Sequence, residues 1–226
     1  MSPDCEIFIN QELYHLPEIC AGKKVVDIGC GYGANRPIVE AAGGEWTGVE
    51  PFESGAATVI GDAENLPFQD ATFDLAIMDA VLEHIPDVGK AFSEVARVLK
   101  PGGLFIGYVA YMECFHEISY SHLSFKALEH YSKINGMKLE KISGGRRFGI
   151  DYHLRILFHP LPFGFLRPVI AASMRFIFRL KSELMYLKYR FSDKQSRAEA
   201  GNKATLFYQF ECLRQSNGFQ HIIRKL

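Results

Sequence analysis

Short apolar runs alternate with helical patterns through the first 145 residues of the chain. The runs at 24–28, 46–50, 58–61, 73–78 and 103–109 predict five strands. Near-continuous apolar strands are typical of a parallel sheet that is buried on both faces. Because helical segments separate these strands, the pattern predicts a doubly wound α/β fold.

Helical spacing of apolar residues predicts the segments between the strands. Helices are expected at 35–42, at 88–99 and at 125–134, where Ser124 is the predicted N-cap of the third helix. Residues 137–142 follow that helix and predict a sixth strand.

After residue 145 the chain becomes aromatic and basic. Residues 168–191 predict one long helix with an apolar face opposite a face that carries three arginines. We expect a polar loop at 192–202 and a last strand at 204–212. The complete pattern predicts a Rossmann-like, mostly parallel, seven-stranded sheet with a helical, basic and aromatic insertion before the last strand.

The amino-acid composition excludes some classes of protein and is compatible with the predicted fold. Nearly half of the 226 residues are hydrophobic (48%), enough for a sizeable core. The five cysteines are scattered without a CxxC pair, which argues against a disulfide scaffold or a zinc site and predicts a reducing, cytoplasmic location with no metal. Residues 1–11 lack the pattern of a secretory signal.

The net charge of −1 hides a strong division along the chain. Residues 1–137 carry 8 Lys and Arg against 20 Asp and Glu, whereas residues 138–226 carry 17 against 6. Such asymmetry indicates either that the two parts attract each other within the fold or that they face different partners.

The first strand ends in a turn with glycine at alternate positions, Gly29, Gly31 and Gly33. Without Cβ atoms the backbone can turn sharply and a ligand can lie directly against it. The helix that follows directs free N–H groups toward that ligand. This turn alone leaves the ligand open, because Gly29, Gly31 and Ala34 also satisfy the dinucleotide fingerprint GxGxxA.

Three further motifs follow in order: GDAENLPF at 61–68, FDLAIM at 73–78 leading to LEHIPD at 82–87, and RVLKPGG at 97–103. With the glycine turn they resemble the class I S-adenosylmethionine-dependent methyltransferases. Their nearest likeness is to the small-molecule methyltransferases with DxGCGxG, DAxxLPF, LEHxxD and RVLKPGG signatures. The resemblance covers about 25–109 and implies the class I methyltransferase fold, with S-adenosylmethionine as cofactor and S-adenosylhomocysteine as product.

The resemblance also implies roles for individual residues. Asp27 and the turn at 29–33 would lie near the methionine part of the cofactor, Glu50 would bind the ribose, and Asp62 with Ala63 would frame the adenine. The expected cofactor-binding residues are Asp27, Gly29, Cys30, Gly31, Gly33, Glu50, Asp62, Ala63, Asp79, Ala80 and His84. Four of them are carboxylates, which suit a sulfonium cation better than a pyrophosphate.

The acceptor is expected beside the segment that follows the fifth strand. Tyr111, Glu113, His116, Tyr120 and His122 cluster there in sequence. A hydroxyl acceptor requires a base, for which His116 is the first candidate and His122 the second. Either histidine could instead be structural.

These expectations define three parts of the chain. Residues 1–145 form the cofactor-binding core, 146–203 a helical cap over the acceptor site, and 204–226 the last strand or strands of the sheet. The function predicted is methyl transfer to a small-molecule or lipid-like acceptor, at oxygen before nitrogen or carbon. The alternatives are a cyclase-like or non-catalytic use of the bound cofactor and, third, a nicotinamide-dependent reductase.

The segment 146–197 carries 11 Lys and Arg against 3 Asp and Glu. Its basic side could be simply solvated, could attract an anionic acceptor, or could attach to an anionic membrane surface. Residues 161–191 are therefore a candidate for peripheral membrane contact, although their arginines and prolines argue against a membrane span. No nucleic-acid partner is expected, because no recognised binding module is present. The sequence leaves the oligomeric state open.

Overall fold

The computed structural model describes residues 4–9, 11–53, 55–111, 118–144, 154, 164–213 and 218–226. Its centre is an eight-stranded sheet. In chain order the strands are β1 (Glu6–Phe8), β2 (Lys24–Ile28), β3 (Glu45–Glu50), β4 (Val59–Ile60), β5 (Phe73–Asp79), β6 (Leu99–Ala110), β7 (Met137–Ser143) and β8 (Gly218–Lys225). The six strands predicted between residues 24 and 142 are therefore confirmed.

The strands lie in the order β1-β7-β8-β6-β5-β2-β3-β4. All pairings are parallel except those of β8, which is antiparallel to both β6 and β7. The chain runs outward from β2 to β3 and β4 and then returns to β5 on the other side of β2. This reversal opens a crevice at the carboxyl ends of β2 and β5, the usual ligand site of such sheets.

Helices cover both faces of the sheet, as the doubly wound prediction requires. They are α1 (Leu16–Ile19), α2 (Arg36–Ala41), α3 (Val88–Val98), α4 (Phe125–Ile134), α5 (Arg167–Leu187) and α6 (Arg197–Leu213). Alternate residues of the central strands enter opposite cores because successive strand side chains point to opposite faces. Val26 packs in the core with α3 and α4, and Val25 packs in the core with α1 and α2.

The prediction of a last strand at 204–212 is wrong, because these residues belong to α6. The predicted polar loop at 192–202 is likewise helical from Arg197 onward. A capping box starts this helix: the Ser196 hydroxyl accepts from the Glu199 N–H (3.2 Å), and the Glu199 carboxylate accepts from the Ser196 N–H (3.0 Å). The apolar run at 204–212 favours a strand locally, but the cap places it inside a longer helix.

The actual last strand is β8, so the three-part division of the chain changes at its end. The boundary at 203/204 falls inside α6, and only Gly218–Lys225 of the segment 204–226 joins the sheet. The eighth strand, absent from the prediction, is β1, which pairs with β7. Three residues are too few to give a periodic signal. Coverage of the acceptor site by residues 146–203 stays a prediction.

Arg97 of helix α3 holds the loop that follows β4 through hydrogen bonds. Its guanidinium donates to both oxygens of Glu94 (2.8 and 2.7 Å), to Asp70 (2.9 Å), and to the carbonyl oxygens of Phe68 (2.6 Å) and Leu66 (2.9 Å). The hydrogen bonds from Arg97 also lower the pKa of Glu94. The RVLKPGG signature thus has a structural role here, because its arginine positions the preceding loop.

Replacing Arg97 by Ala should lower the free energy of unfolding by about 2 kcal/mol, because two carbonyls and Glu94 lose their donor. Arg36→Ala is the matched control: Arg36 pairs with Glu40 on the helix surface, where both side chains are about half exposed. That change should cost about 0.5 kcal/mol or less. Urea unfolding measures both values, and equal losses would contradict the role assigned to Arg97.

His221 is a fully buried histidine in the middle of β8. Its ring stands edge-on to Phe105 with centroids 4.8 Å apart, and neither ring nitrogen has a hydrogen-bond partner among the described residues. Burial lowers the pKa of His221 to about 3. The folded protein therefore holds this histidine neutral in conditions where the unfolded chain would protonate it.

This difference predicts a loss of stability in acid. Below pH 6.5 the unfolded state binds a proton that the folded state excludes, so each pH unit removes up to about 1.4 kcal/mol until the folded pKa is reached. His221→Leu should remove this contribution, whereas the control His130→Gln alters an exposed ring. Urea unfolding between pH 7.5 and 5 tests the prediction, which fails if His221→Leu and the native chain lose stability in parallel.

Candidate functional site

A cleft of about 570 Å³ opens at the carboxyl ends of β2, β3, β4 and β5. Its walls come from the turn after β2, the end of β3, the loop after β4, the turn after β5 and the segment around Tyr120. These elements lie on both sides of the strand-order reversal, so the cleft occupies the position that the topology favours for a ligand.

The turn after β2 has a conformation that favours glycine. Gly29, Gly31 and Gly33 have φ values of 71°, 55° and 72°, in the left-handed region. A Cβ on Gly29 would lie 2.5 Å from the Val81 side chain. The turn after β5 therefore packs directly against the turn after β2, and any side chain at position 29 would force them apart.

Asp27 lies beneath this turn and is 2% exposed. Its Oδ2 accepts hydrogen bonds from Trp46 Nε1 (3.1 Å) and Asn35 Nδ2 (3.2 Å). Burial raises the pKa of Asp27 to about 6 against these hydrogen bonds, and the charges of Asp79 and Glu50 add to the rise. Asp27 thus connects β2, β3 and the segment that leads into α2.

Glu50 at the end of β3 is buried and lines the cleft. One of its oxygens, Oε1, accepts a hydrogen bond from the Gly31 N–H, so the carboxylate also fixes the conformation of the glycine turn. Its backbone carbonyl accepts from the Gly61 N–H (2.8 Å), which brings the loop after β4 alongside. A carboxylate in this position can accept hydrogen bonds from ligand hydroxyls.

The loop after β4 presents Asp62 and Ala63 to the cleft. Asp62 Oδ1 accepts from the Glu64 N–H (2.9 Å), and Glu64 Oε1 accepts from the Asp87 N–H (2.9 Å). With the Arg97 contacts described above, these hydrogen bonds fix the loop between β4 and α3.

The opposite wall is built from the turn after β5. Ala80 has a left-handed φ of 57°, which is strained for a residue with a Cβ, and its N–H donates to the Tyr108 carbonyl (3.0 Å). His84 Nδ1 lies 2.7 Å from the Ile118 carbonyl oxygen, and the Tyr120 N–H donates to the Glu83 carbonyl (2.7 Å). The segment 118–121 is therefore held against the turn.

Negative charge surrounds the base of the cleft. Burial, together with the charges of Asp27 and Glu50, raises the pKa of Cys30 to about 11. Desolvation raises the pKa of Asp79, and the charge of Glu12 adds to this rise. These shifts share a sign mainly because burial disfavours the charged form of each group, and the neighbouring negative charges add to it. A cation in the cleft would oppose both effects.

The structure brings most of the predicted cofactor residues together, but they divide into two groups. Gly29, Glu50, Asp62, Ala63, Ala80 and His84 line the cleft. Asp27, Cys30, Gly31, Gly33 and Asp79 do not line it and lie in or beside the turns that shape it. Direct contact of each residue with a cofactor stays a prediction.

Tyr14 is a neighbour of this site that the sequence did not reveal. Burial raises the pKa of Tyr14, and the charges of Asp79 and Glu12 add to the rise. The Leu13 N–H donates to Gln220 Oε1 (3.0 Å), which holds this segment near the sheet. Tyr14 and Asp79 are about 65 positions apart in the chain, and no local pattern marks their electrostatic interaction.

A second cavity, of about 460 Å³, lies near the same edge of the sheet and is mainly apolar. We call it the aromatic groove. Its apolar lining consists of Tyr111, Phe125, Ile142, Phe207, Phe210, Leu213 and Phe219. The rings of Phe125 and Phe210 lie 5.8 Å apart, and those of Tyr111 and Phe219 lie 6.3 Å apart. The segment 118–125 connects this groove to the cleft.

The predicted acceptor wall is partly within the described structure. Tyr111 lines the aromatic groove and Tyr120 lines the cleft. His122 lies on the connecting segment, with Nε2 3.4 Å from Ser119 Oγ, and lines neither cavity. Glu113 and His116 lie outside the described residues. The catalytic roles of His116 and His122 stay predictions.

Comparison with known proteins finds similarity to methyltransferases, in agreement with the position of the cleft. Residues 26–107 match the family model of the methyltransferase domain. An uncharacterised methyltransferase of Mycobacterium sp. strain JLS is 29% identical over 147 residues, which are 58% of each chain. The sterol 4-C-methyltransferase strm-1 of Caenorhabditis elegans is 35% identical over 40% of this chain and 32% of its own. The chain thus spans little more than half the length of the Mycobacterium relative.

A solved structure from Galdieria sulphuraria, of a candidate sarcosine dimethylglycine methyltransferase, superimposes with a TM-score of 0.53. The alignment covers 93% of this chain and 81% of that one at 17% identity, which establishes a shared fold. The parallel strands, the antiparallel β8 and the cleft at the strand-order reversal belong to that same architecture. Residues 26–107 therefore match the methyltransferase domain family, within a chain that has the Rossmann-like class I methyltransferase fold.

Proposed function

We propose that this chain transfers a methyl group from S-adenosylmethionine to an apolar, lipid-like small molecule. The observation that carries the proposal is the cleft at the strand-order reversal, where a glycine-rich turn lies beside buried carboxylates. The match of residues 26–107 to the methyltransferase domain supports the same conclusion.

The residues present fit S-adenosylmethionine. Gly29 lines the cleft, and its lack of a side chain lets the turn after β5 pack directly against the turn after β2 to form the wall. Glu50 would accept hydrogen bonds from the ribose hydroxyls. Asp62, whose Oδ1 is engaged by Glu64, would use its other oxygen toward the adenine amino group. The surrounding acids favour a cation and disfavour the pyrophosphate of a nicotinamide cofactor.

The aromatic groove supports an apolar acceptor. Among the described residues, five aromatic side chains line it, and aromatic surfaces suit flat or long hydrocarbon groups. The resemblance to proteins named as sterol methyltransferases points the same way. The order of preference for the methylated atom, oxygen before nitrogen or carbon, stays a prediction.

Methyl transfer by displacement requires the protein mainly to align the cofactor with the acceptor. S-adenosylmethionine, when bound, supplies a methyl group on a cationic sulfur. The turns after β2 and β5 would hold this cofactor at the sheet edge, and the segment 118–125 would join that position to the groove. Orientation of this kind, with water excluded by aromatic walls, contributes much of the barrier reduction in such displacements. His122, on the connecting segment, stays the candidate base within the described residues.

Calorimetry on the purified chain with S-adenosylmethionine, S-adenosylhomocysteine and NAD tests the cofactor. Binding of the first two and tighter binding than NAD are expected; the reverse order would overturn the proposal. Incubation with isotopically labelled methyl donor and either a lipid extract or a water-soluble extract tests the acceptor. Mass spectrometry should find the label in the lipid fraction, and label only in water-soluble products would exclude a lipid-like acceptor.

Gly29→Ala should weaken S-adenosylmethionine binding at least about tenfold, because the new Cβ displaces Val81 in the cleft wall and strains a left-handed residue. Gly43→Ala is the matched control: Gly43 is also left-handed (φ 76°), but its Cβ would meet no atom within 4 Å and lies away from the cleft. Calorimetry should show unchanged affinity for Gly43→Ala. Equal affinities for both variants would contradict the role assigned to the Gly29 turn.

Phe207→Ala should raise the KM for the acceptor by about tenfold and leave S-adenosylmethionine affinity unchanged, because it removes one aromatic wall of the groove. Tyr208→Ala, on the same helix but outside the groove lining, is the control and should leave the KM unchanged. Steady-state kinetics with the acceptor identified above measures both values. An unchanged KM for Phe207→Ala would remove the groove from acceptor binding.

A further inference from the structure

Helix α5 carries an apolar stripe on its outer surface. Val169, Phe176, Leu180, Leu184, Leu187 and Phe191 recur at intervals of three, four or seven residues and are each 48–70% exposed. Phe191 extends the stripe into the π-helical turn Lys188–Ser192. At 1.5 Å per residue the stripe is about 33 Å long. Exposed apolar surface of this extent usually marks an interaction site.

The opposite face of α5 is already used inside the protein. Ala171 and Phe178 are buried, and Ser182 Oγ donates to the Ala204 carbonyl of α6 (2.7 Å). Lys181 Nζ lies 3.5 Å from Glu211 Oε2, also on α6. Because these contacts fix the rotation of α5 about its axis, the stripe is directed away from α6.

Basic residues border the stripe. Between 164 and 191 the chain has six Lys or Arg residues and a single acid, Glu183. Arg179 on one side and Lys181 and Lys188 on the other are exposed. An apolar stripe flanked by cations is the pattern of a helix that lies in the plane of a membrane surface. No helix among the described residues has the length and hydropathy that a bilayer span requires.

The charge decides between two occupants of the stripe. A second copy of the chain could bury the apolar residues, but it would bring two strongly basic helices together. An anionic lipid surface would bury the same residues and attract the cations, each worth about 1 kcal/mol near the surface. The observations therefore favour the membrane.

We propose that α5 attaches this protein to anionic membrane surfaces, with the apolar stripe inserted among the lipids and the lysines and arginines at the headgroups. The partner helix α6 lines the aromatic groove with Phe207 and Phe210. Attachment through α5 would thus hold the groove within about two helix diameters of the membrane, close to where a lipid-like acceptor is concentrated. The supply of a lipid-like acceptor to the groove rests on the proposed function. The attachment of α5 to a membrane does not.

Cosedimentation of the full chain with vesicles tests attachment. The native chain should bind phosphatidylcholine vesicles that contain about 30 mol% phosphatidylglycerol, and should bind pure phosphatidylcholine at least about tenfold more weakly. Salt at about 0.5 M should weaken binding to the anionic vesicles. The triple variant Phe176→Ser, Leu180→Ser, Leu184→Ser should lose at least about tenfold in partitioning, because each change removes buried apolar area.

Matched controls change equally exposed residues elsewhere. Ile134→Ser, on the exposed end of α4, should bind vesicles like the native chain, whereas Arg179→Gln with Lys188→Gln should lose the preference for anionic lipid. Unchanged S-adenosylmethionine affinity in the triple variant would show that its core is intact, independently of vesicle binding. Native binding to neither vesicle type, or full binding by the triple variant, would overturn attachment. A native dimer in analytical ultracentrifugation that the triple variant converts to monomer would assign the stripe to a second copy instead.

Discussion

The buried carboxylate of Asp27 and the left-handed glycine turn above it are the constraint on which the functional region depends. Asp27 accepts hydrogen bonds from Trp46 and Asn35, and Glu50 accepts one from the Gly31 N–H. The ends of β2 and β3 are therefore joined through carboxylates that are buried from water. Such an arrangement is costly unless a ligand or donor groups compensate for the charge, and a cationic ligand at the sheet edge would do so.

The acidic and basic parts of the sequence supply different surfaces of the structure. The acidic part supplies the sheet edge around the cleft, where the pKa values of Asp27 and Asp79 are raised and charges of one sign accumulate. The basic part supplies α5, which contacts the rest of the molecule through α6 and leaves cations around an apolar stripe. Mutual attraction of the two parts is seen locally in the ion pair between Lys141 and Glu6 (3.8 Å), but it leaves the outer surface of α5 for another partner.

Two cavities at one sheet edge suggest a division between a polar reactant and an apolar one. The cleft combines a glycine-rich turn with carboxylates, whereas the groove is mainly aromatic. The segment 118–125 borders both, and its position is fixed by the carbonyl of Glu83 and the ring of His84. Residues of the LEHxxD motif therefore have a structural role in this chain, because they hold the segment that lies between the two cavities.

The sequence by itself determined the sheet from β2 to β7, the Ser124 cap and the residues of the glycine turn, because strand runs, caps and glycine turns are encoded within a few neighbouring residues. It misassigned 204–212, since a short apolar run favours a strand unless the cap at Ser196 and Glu199 is recognised. Only the tertiary structure decided the pairing of β1, the insertion of β8 between β6 and β7, and the approach of Tyr14 to Asp79. It also decided the aromatic groove, whose walls come from positions as distant as Tyr111 and Phe219. Contacts of that range depend on how whole elements pack, which no local pattern of residues specifies.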